Sequence, residues 1–81
     1  MICYVYRSRK RADTYLYLPR QDDFTAVPEA LLRVFGAADF ALEFELTPQR
    51  RLAQAEASEV LRNLREQGFH LQIPPVNVAP L

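Results

Sequence analysis

The chain has 81 residues, of which 49% are hydrophobic and 11% aromatic, enough apolar material for one small core and too much for a disordered segment. Its single cysteine, Cys3, excludes an intrachain disulfide and a multi-cysteine metal site, and it fits a reducing compartment. No apolar run approaches the ~20 residues of a membrane-spanning helix, and residues 1–7 lack the features of a signal peptide. We therefore expect a soluble, cytoplasmic protein with no membrane partner.

The formal net charge of zero hides an uneven distribution. Residues 1–21 carry five basic side chains against one acidic side chain, whereas residues 22–47 carry one basic side chain against six acidic ones. A protein that works mainly on nucleic acid normally carries a net positive domain. We therefore expect no sequence-specific DNA binding, and we expect the basic first segment to be the charged feature of interest.

Residues 2–7 and 14–18 are rich in tyrosine and aliphatic residues and flank the polar segment 8–13, which predicts a β-hairpin. We favour a register that pairs Tyr4 with Tyr17 and Tyr6 with Tyr15. This register places the tyrosines on one face of the hairpin and the aliphatic residues, including Cys3, on the other.

A short helix is predicted after the loop 19–27. Pro28 suits its first position, Glu29 suits the first turn, and Gly36 ends it. The predicted buried stripe consists of Leu31, Leu32 and Phe35.

Residues 40–46 alternate and predict a strand, with Phe40, Leu42, Phe44 and Leu46 on one face. Residues 50–54 are ambiguous, since they fit either a brief strand or the approach to the next helix.

The last predicted helix has a clear apolar stripe and is followed by a strand. The helix ends at Gly68, residues 69–73 alternate, and Pro74-Pro75 end the strand. The stripe consists of Ala57, Val60, Leu61 and Leu64.

We predict one α+β domain over residues 1–75, with four or five mostly antiparallel strands and two helices in the order β-β-α-β-(β)-α-β. Residues 76–81 are expected to be a frayed tail, although an apolar tail could also dock as an extended ligand or on a sheet edge.

Three segments together resemble the YcgL-domain family of small bacterial proteins. They are CysTyrValTyrArgSer with LysArg and ThrTyrLeuTyrLeu (3–18), AspAspPheThrAlaValProGluAlaLeuLeuArgValPheGly (22–36) and LeuArgGluGlnGlyPheHisLeuGlnIleProPro (64–75). The resemblance implies an α/β/α sandwich around a mostly antiparallel sheet, and it implies no established biochemical function. This chain departs from the family pattern at Glu43, Glu45 and His70, so a catalytic role for them would be peculiar to it.

Residues 7–11, called here the basic turn, lie beside the tyrosines and are the sharpest functional signal. Arginine and lysine side chains can neutralise phosphates, and tyrosine rings can stack on the bases of a single-stranded nucleic acid. The simpler interpretation is that the tyrosines pack under a helix while the charges keep the turn soluble. The candidate contact residues are Arg7, Arg9, Lys10, Arg11, Tyr15 and Tyr17.

A second set, His70 with Glu43 and Glu45, could share a polar sheet face and act as a general base or half of a metal site. An activated nucleophile is not apparent, and one histidine with two glutamates is a sparse ligand set, so we predict no catalytic residue, no metal site and no cofactor. Cys3 is expected to be a small buried hydrophobic residue.

The sequence therefore predicts a non-enzymatic binding or adaptor module whose basic turn contacts an acidic protein surface or single-stranded RNA. The alternative is a small enzyme or metal-dependent catalyst that uses His70 with Glu43 or Glu45. Under the first hypothesis, Arg9→Glu with Arg11→Glu abolishes binding and leaves the thermal midpoint nearly unchanged.

Overall fold

A four-stranded antiparallel sheet organises the computed structural model, which describes residues 1–52 and 55–74. In chain order the strands and helices are β1 (Ile2–Ser8), β2 (Tyr15–Leu18), α1 (Glu29–Phe35), β3 (Ala38–Glu45), α2 (Ala57–Glu66) and β4 (His70–Gln72). The strand order across the sheet is β3-β1-β2-β4, so β3 and β4 are the two edges. One apolar cluster lies on each face, with α1 on one side and α2 on the other. This arrangement confirms the predicted α+β sandwich.

The optional fifth strand is not formed among the described residues of the segment 50–54. Arg51 makes only an isolated antiparallel bridge with Glu56. Residues 53 and 54 lie outside the described residues, as do Pro75 and the tail 76–81 for which docking was considered.

The predicted register of the first hairpin is wrong by one residue. Tyr4 pairs with Leu18, Val5 with Tyr17 and Tyr6 with Leu16. The tyrosines are therefore divided: Tyr4 and Tyr6 lie on the face that α1 covers, called here the α1 face, whereas Tyr15 and Tyr17 lie on the α2 face.

Turn geometry and two-sided burial explain this register. The amide of Ser8 donates to the carbonyl of Thr14, and Asp13 closes the five-residue loop in a left-handed conformation at φ 55°. Because helices cover both faces of the sheet, segregating tyrosines from aliphatic residues has no energetic advantage.

The predicted alternation of β3 is also wrong at one position. Val5 pairs with Leu42, but Tyr6 pairs with Phe40, so Ala41 is an extra residue in a β-bulge. The ring of Phe40 packs edge-on against Tyr6 on the α1 face, whereas Leu42 and Phe44 lie on the α2 face.

The two helices pack through the predicted apolar residues. In α2 the four predicted stripe residues are all buried. In α1 Phe35 is buried and its neighbours Leu31 and Leu32 pack against the same cluster. Pro28 lies one position earlier than predicted, as the N-cap, because its ψ of 140° is extended rather than helical. Its carbonyl accepts hydrogen bonds from the amides of Leu31 and Leu32.

Candidate binding surface

Ser8 holds the basic turn in place from beneath. Its buried hydroxyl donates to the carbonyl of Phe35 at the end of α1, and it accepts hydrogen bonds from the amides of Lys10 and Arg11 at 3.1 and 2.9 Å. The amide of Arg9 also donates to the carbonyl of Ala37. Serine hydroxyls commonly organise turns in this way, so a serine at the start of a polar loop was the available sequence signal for a residue that our sequence analysis missed.

The predicted basic side chains surround this turn but differ in their partners. The guanidinium of Arg9 pairs with both carboxylate oxygens of Asp39, at 2.8 and 2.9 Å, and is 68% exposed. Hydrogen bonding to Arg9 lowers the pKa of the Asp39 carboxyl. Nε of Arg11 donates to the carbonyl of Val34 at 3.3 Å. Arg7 and Lys10 are exposed, and neither forms an ion pair within residues 1–52 and 55–74.

The tyrosines do not form the exposed platform that base stacking needs. Tyr17 is only 7% exposed, and its hydroxyl donates to Oε1 of Gln72 at 2.9 Å. Tyr6 is buried on the other face, where its hydroxyl donates to Asp22. Of the two candidate tyrosines, only Tyr15 is half-exposed. The four basic residues and Tyr15 thus lie together at one end of the sheet, whereas Tyr17 is almost fully buried.

His70 is separated from both glutamates of the alternative site. It lies on β4 at one edge of the sheet, whereas Glu43 and Glu45 lie on β3 at the opposite edge. Glu43 pairs with Tyr4, and both residues are on the α1 face, whereas His70 pairs with Tyr17 on the α2 face. The hydrogen-bonded contact that general-base catalysis by this set requires is therefore not formed.

His70 does not lie on a polar sheet face, as the alternative site required. His70 is 8% exposed, and its Nδ1 accepts a hydrogen bond from the side-chain nitrogen, Nδ2, of Asn63 on α2 at 2.9 Å. Burial lowers the pKa of His70, against a smaller opposing effect of Glu59. A neutral imidazole that packs edge-on against Tyr17 stabilises the interface between α2 and the sheet.

Cys3 is fully buried, as predicted, but it shares the α2 face with Tyr15 and Tyr17 instead of lying opposite the tyrosines. Burial raises the pKa of its thiol to about 11, so the reactive thiolate is scarce near neutral pH. Within the described part of the chain, no cluster of histidine, cysteine and carboxylate side chains has the arrangement of a metal site.

A groove of about 380 Å³ lies on the part of the α2 face next to β3 and the hairpin. Its apolar lining is formed by Val5, Tyr15, Tyr17, Leu42, Phe44 and Leu52. The polar lining includes Asp13, Arg50 and Arg51, and the guanidinium of Arg50 lies 4.4 Å from the centre of the Phe44 ring. Sequence reasoning missed this groove because it depends on contacts between residues that are distant in the chain.

The helices among the described residues include none with the length and apolarity that crossing a bilayer requires.

A sequence model described as the YcgL domain matches residues 3–75. A YcgL domain-containing protein of Thioalkalivibrio sulfidiphilus is 58% identical over 81 residues, covering 100% of both chains. One from Proteus mirabilis is 49% identical over 75 residues, which is 93% of this chain and 77% of the relative. Protein YcgL of Salmonella arizonae is 48% identical over 75 residues, 93% of this chain and 68% of the relative.

Proposed function

The chain belongs to the YcgL-domain family, and for this member we propose a non-enzymatic, cytoplasmic binding function in which the basic turn contacts an acidic segment of a partner protein. The observation that carries the proposal is the clamp that Ser8 forms under the turn. The clamp fixes the backbone beside four cationic side chains, one at the end of β1 and three in the loop that follows. Among the described residues, a carboxylate forms an ion pair with Arg9 alone of these four.

A prearranged turn favours binding because less conformational freedom is lost when a partner docks. The exposed ammonium of Lys10 and guanidinium of Arg7 are available for carboxylates of a partner. Exposed ion pairs contribute only about 0.2–1 kcal/mol each, so several must act together. The expected interaction is weak to moderate, salt-sensitive and dependent on the charge density of the partner.

An acidic protein fits the turn better than single-stranded RNA does. Sequence-tolerant RNA binding combines a basic groove with aromatic rings on which bases stack. Here Tyr6 and Tyr17 are buried with their hydroxyls hydrogen-bonded, and the ring of Phe44 is covered by Arg50. The exposed rings near the turn are divided between the two faces of the sheet, since Tyr15 lies on the α2 face and Phe40, which is 47% exposed, lies on the α1 face. These two rings therefore do not form one platform on which successive bases could stack.

The buried, hydrogen-bonded imidazole of His70 and the raised pKa of Cys3 support a non-enzymatic role. Cys3 could act as a nucleophile and His70 as an acid or base, but both side chains are buried on the α2 face. In these positions they contribute packing rather than nucleophilic or acid–base chemistry.

Backbone amide NMR titrations test this function. The first probe is a capped hexapeptide with two alanines between two pairs of aspartates, called here the alanine peptide, and the second is a short oligouridine RNA. We expect the alanine peptide to shift amides of residues 7–14 selectively. Equal shifts around Arg62 and Arg65 on α2 would contradict a specific surface. RNA-induced shifts that persist at near-physiological salt would instead identify RNA as the partner.

A further inference from the structure

We propose that the groove on the α2 face binds an apolar–acidic segment of the partner protein, with a large apolar side chain in the groove and an adjacent carboxylate on Arg50 and Arg51. This inference rests on the proposed function, because it names the chemistry of the partner that the basic turn attracts. The groove and the turn are continuous: Tyr15 lines the groove and pairs with Arg7 at the base of the turn.

Part of the apolar lining of the groove is exposed to solvent. Leu42 is 48% exposed even though it lies on the helix-covered side of the sheet. The groove volume of about 380 Å³ falls within the range of about 300–1,000 Å³ that is typical of ligand pockets. Burying one leucine or phenylalanine side chain there contributes about 1.5–3 kcal/mol before the costs of association.

The charges beside the groove select a carboxylate. Neither Arg50 nor Arg51 forms an ion pair with the residues that the structure describes. The guanidinium of Arg50 is already held over the Phe44 ring, so its charge is positioned before a ligand arrives. A basic segment would be repelled by both arginines, whereas an acidic one gains two cationic neighbours.

The two ends of the groove carry side chains of opposite charge. Asp13 lines it beside the hairpin, and Arg50 lies over Phe44, which pairs with Cys3. Cys3 and Arg7 are four residues apart on β1, so the arginine end is roughly 13 Å from the hairpin end. The carboxylate next to the apolar side chain in the groove is therefore favoured at the Arg50 end rather than beside Asp13.

Two matched peptides and three variants test this inference by fluorescence anisotropy at near-physiological salt. The leucine-phenylalanine peptide carries these two residues in place of the alanines of the alanine peptide. The groove variants are Arg50→Glu with Arg51→Glu, and Leu42→Ser, a substitution at a half-exposed position that leaves the buried core intact. The control is Arg62→Glu with Arg65→Glu, which makes the same charge change on the exposed side of α2.

We expect the leucine-phenylalanine peptide to bind the wild-type protein about tenfold more tightly than the alanine peptide. The double arginine reversal should weaken it about tenfold and Leu42→Ser about threefold, whereas the control should change affinity less than about twofold. Equal affinity for both peptides, or binding unchanged by the groove variants, overturns the inference.

These results separate the groove from the turn. If the groove variants bind the leucine-phenylalanine peptide like the wild-type protein, the proposed function still stands provided that Lys10→Glu with Arg11→Glu weakens binding of the alanine peptide at least about tenfold at low salt. Binding that depends on Arg50, Arg51 and Leu42 but not on the turn supports the groove and rejects the turn as the contact surface. Failure of the leucine-phenylalanine peptide to bind at millimolar concentration rejects the groove inference outright.

Discussion

The hydroxyl of Ser8 donates to the carbonyl of Phe35, which joins the basic turn of the first hairpin to the C-terminal end of α1. The same oxygen accepts from the amides of Lys10 and Arg11. One buried side chain thereby positions the residues on which the proposed function depends.

Replacing Ser8 with alanine should destabilise the protein by about 1–3 kcal/mol, because a buried carbonyl and two amides lose their hydrogen-bond partner. Urea unfolding measures this loss, and Ser58→Ala at an exposed position of α2 is the matched control. A Ser8→Ala midpoint equal to that of the control would contradict the role of Ser8.

Gly68→Ala and Gly36→Ala should both destabilise the protein, because the two glycines have positive φ, at 83° and 73°. At Gly36 ψ is −156°, a combination that is essentially restricted to glycine, and alanine there costs about 1–3 kcal/mol. At position 68 the added Cβ would lie 2.7 Å from the Cβ of Ala26, and at position 36 it would lie 3.1 Å from the Cβ of Lys10. Urea unfolding measures both losses, and a midpoint equal to that of the wild-type protein would contradict the prediction for that variant.

A double variant isolates the steric part of this effect. Ala26→Gly removes the opposing Cβ, so Ala26→Gly with Gly68→Ala should be less destabilised than the sum of the two single variants. Simple additivity would show that the close approach of residues 26 and 68 has no energetic consequence.

His70 should make the protein less stable as pH falls through the range below about 6.5. Its folded pKa is lowered by burial, so below pH 6.5 the unfolded chain binds a proton that the folded protein resists. The stabilisation is complete above the unfolded pKa and is lost as pH falls through the folded pKa. Urea midpoints between about pH 5 and pH 7.5 should therefore rise with pH.

His70→Gln provides the control, because glutamine can still hydrogen-bond to Asn63 but does not titrate. His70 is the single histidine of the chain, so most of the slope in this range should disappear in the variant. An unchanged slope would show that another group causes the pH dependence.

The helices were predictable because each has one buried side. In α2 the 3.6-residue period identified all four buried residues, since the opposite side meets water. The sheet was less predictable because both of its faces are covered, so alternation of polarity does not distinguish them. Consequently the hairpin register, the bulge at Ala41 and the burial of His70 were missed.

The candidate surface was predictable only where it is local in the chain. The basic turn lies in one short segment, so charge counting found it. The groove forms where Arg50 lies over Phe44 and where Tyr15 and Leu42 line the same surface. This arrangement depends on strand order and on the path of the chain after β3. The interaction of Arg9 with Asp39 likewise joins residues 30 positions apart.

The most direct test of the account is the affinity of the alanine peptide for Lys10→Glu with Arg11→Glu, compared with Arg62→Glu with Arg65→Glu. The turn variant is preferred to one at Arg9, because reversing Arg9 would also place a carboxylate beside Asp39. We expect the turn variant to bind at least about tenfold more weakly at low salt, and the α2 variant to bind like the wild-type protein. Equal weakening in both variants, with unchanged unfolding midpoints, would show that net charge rather than the basic turn determines binding.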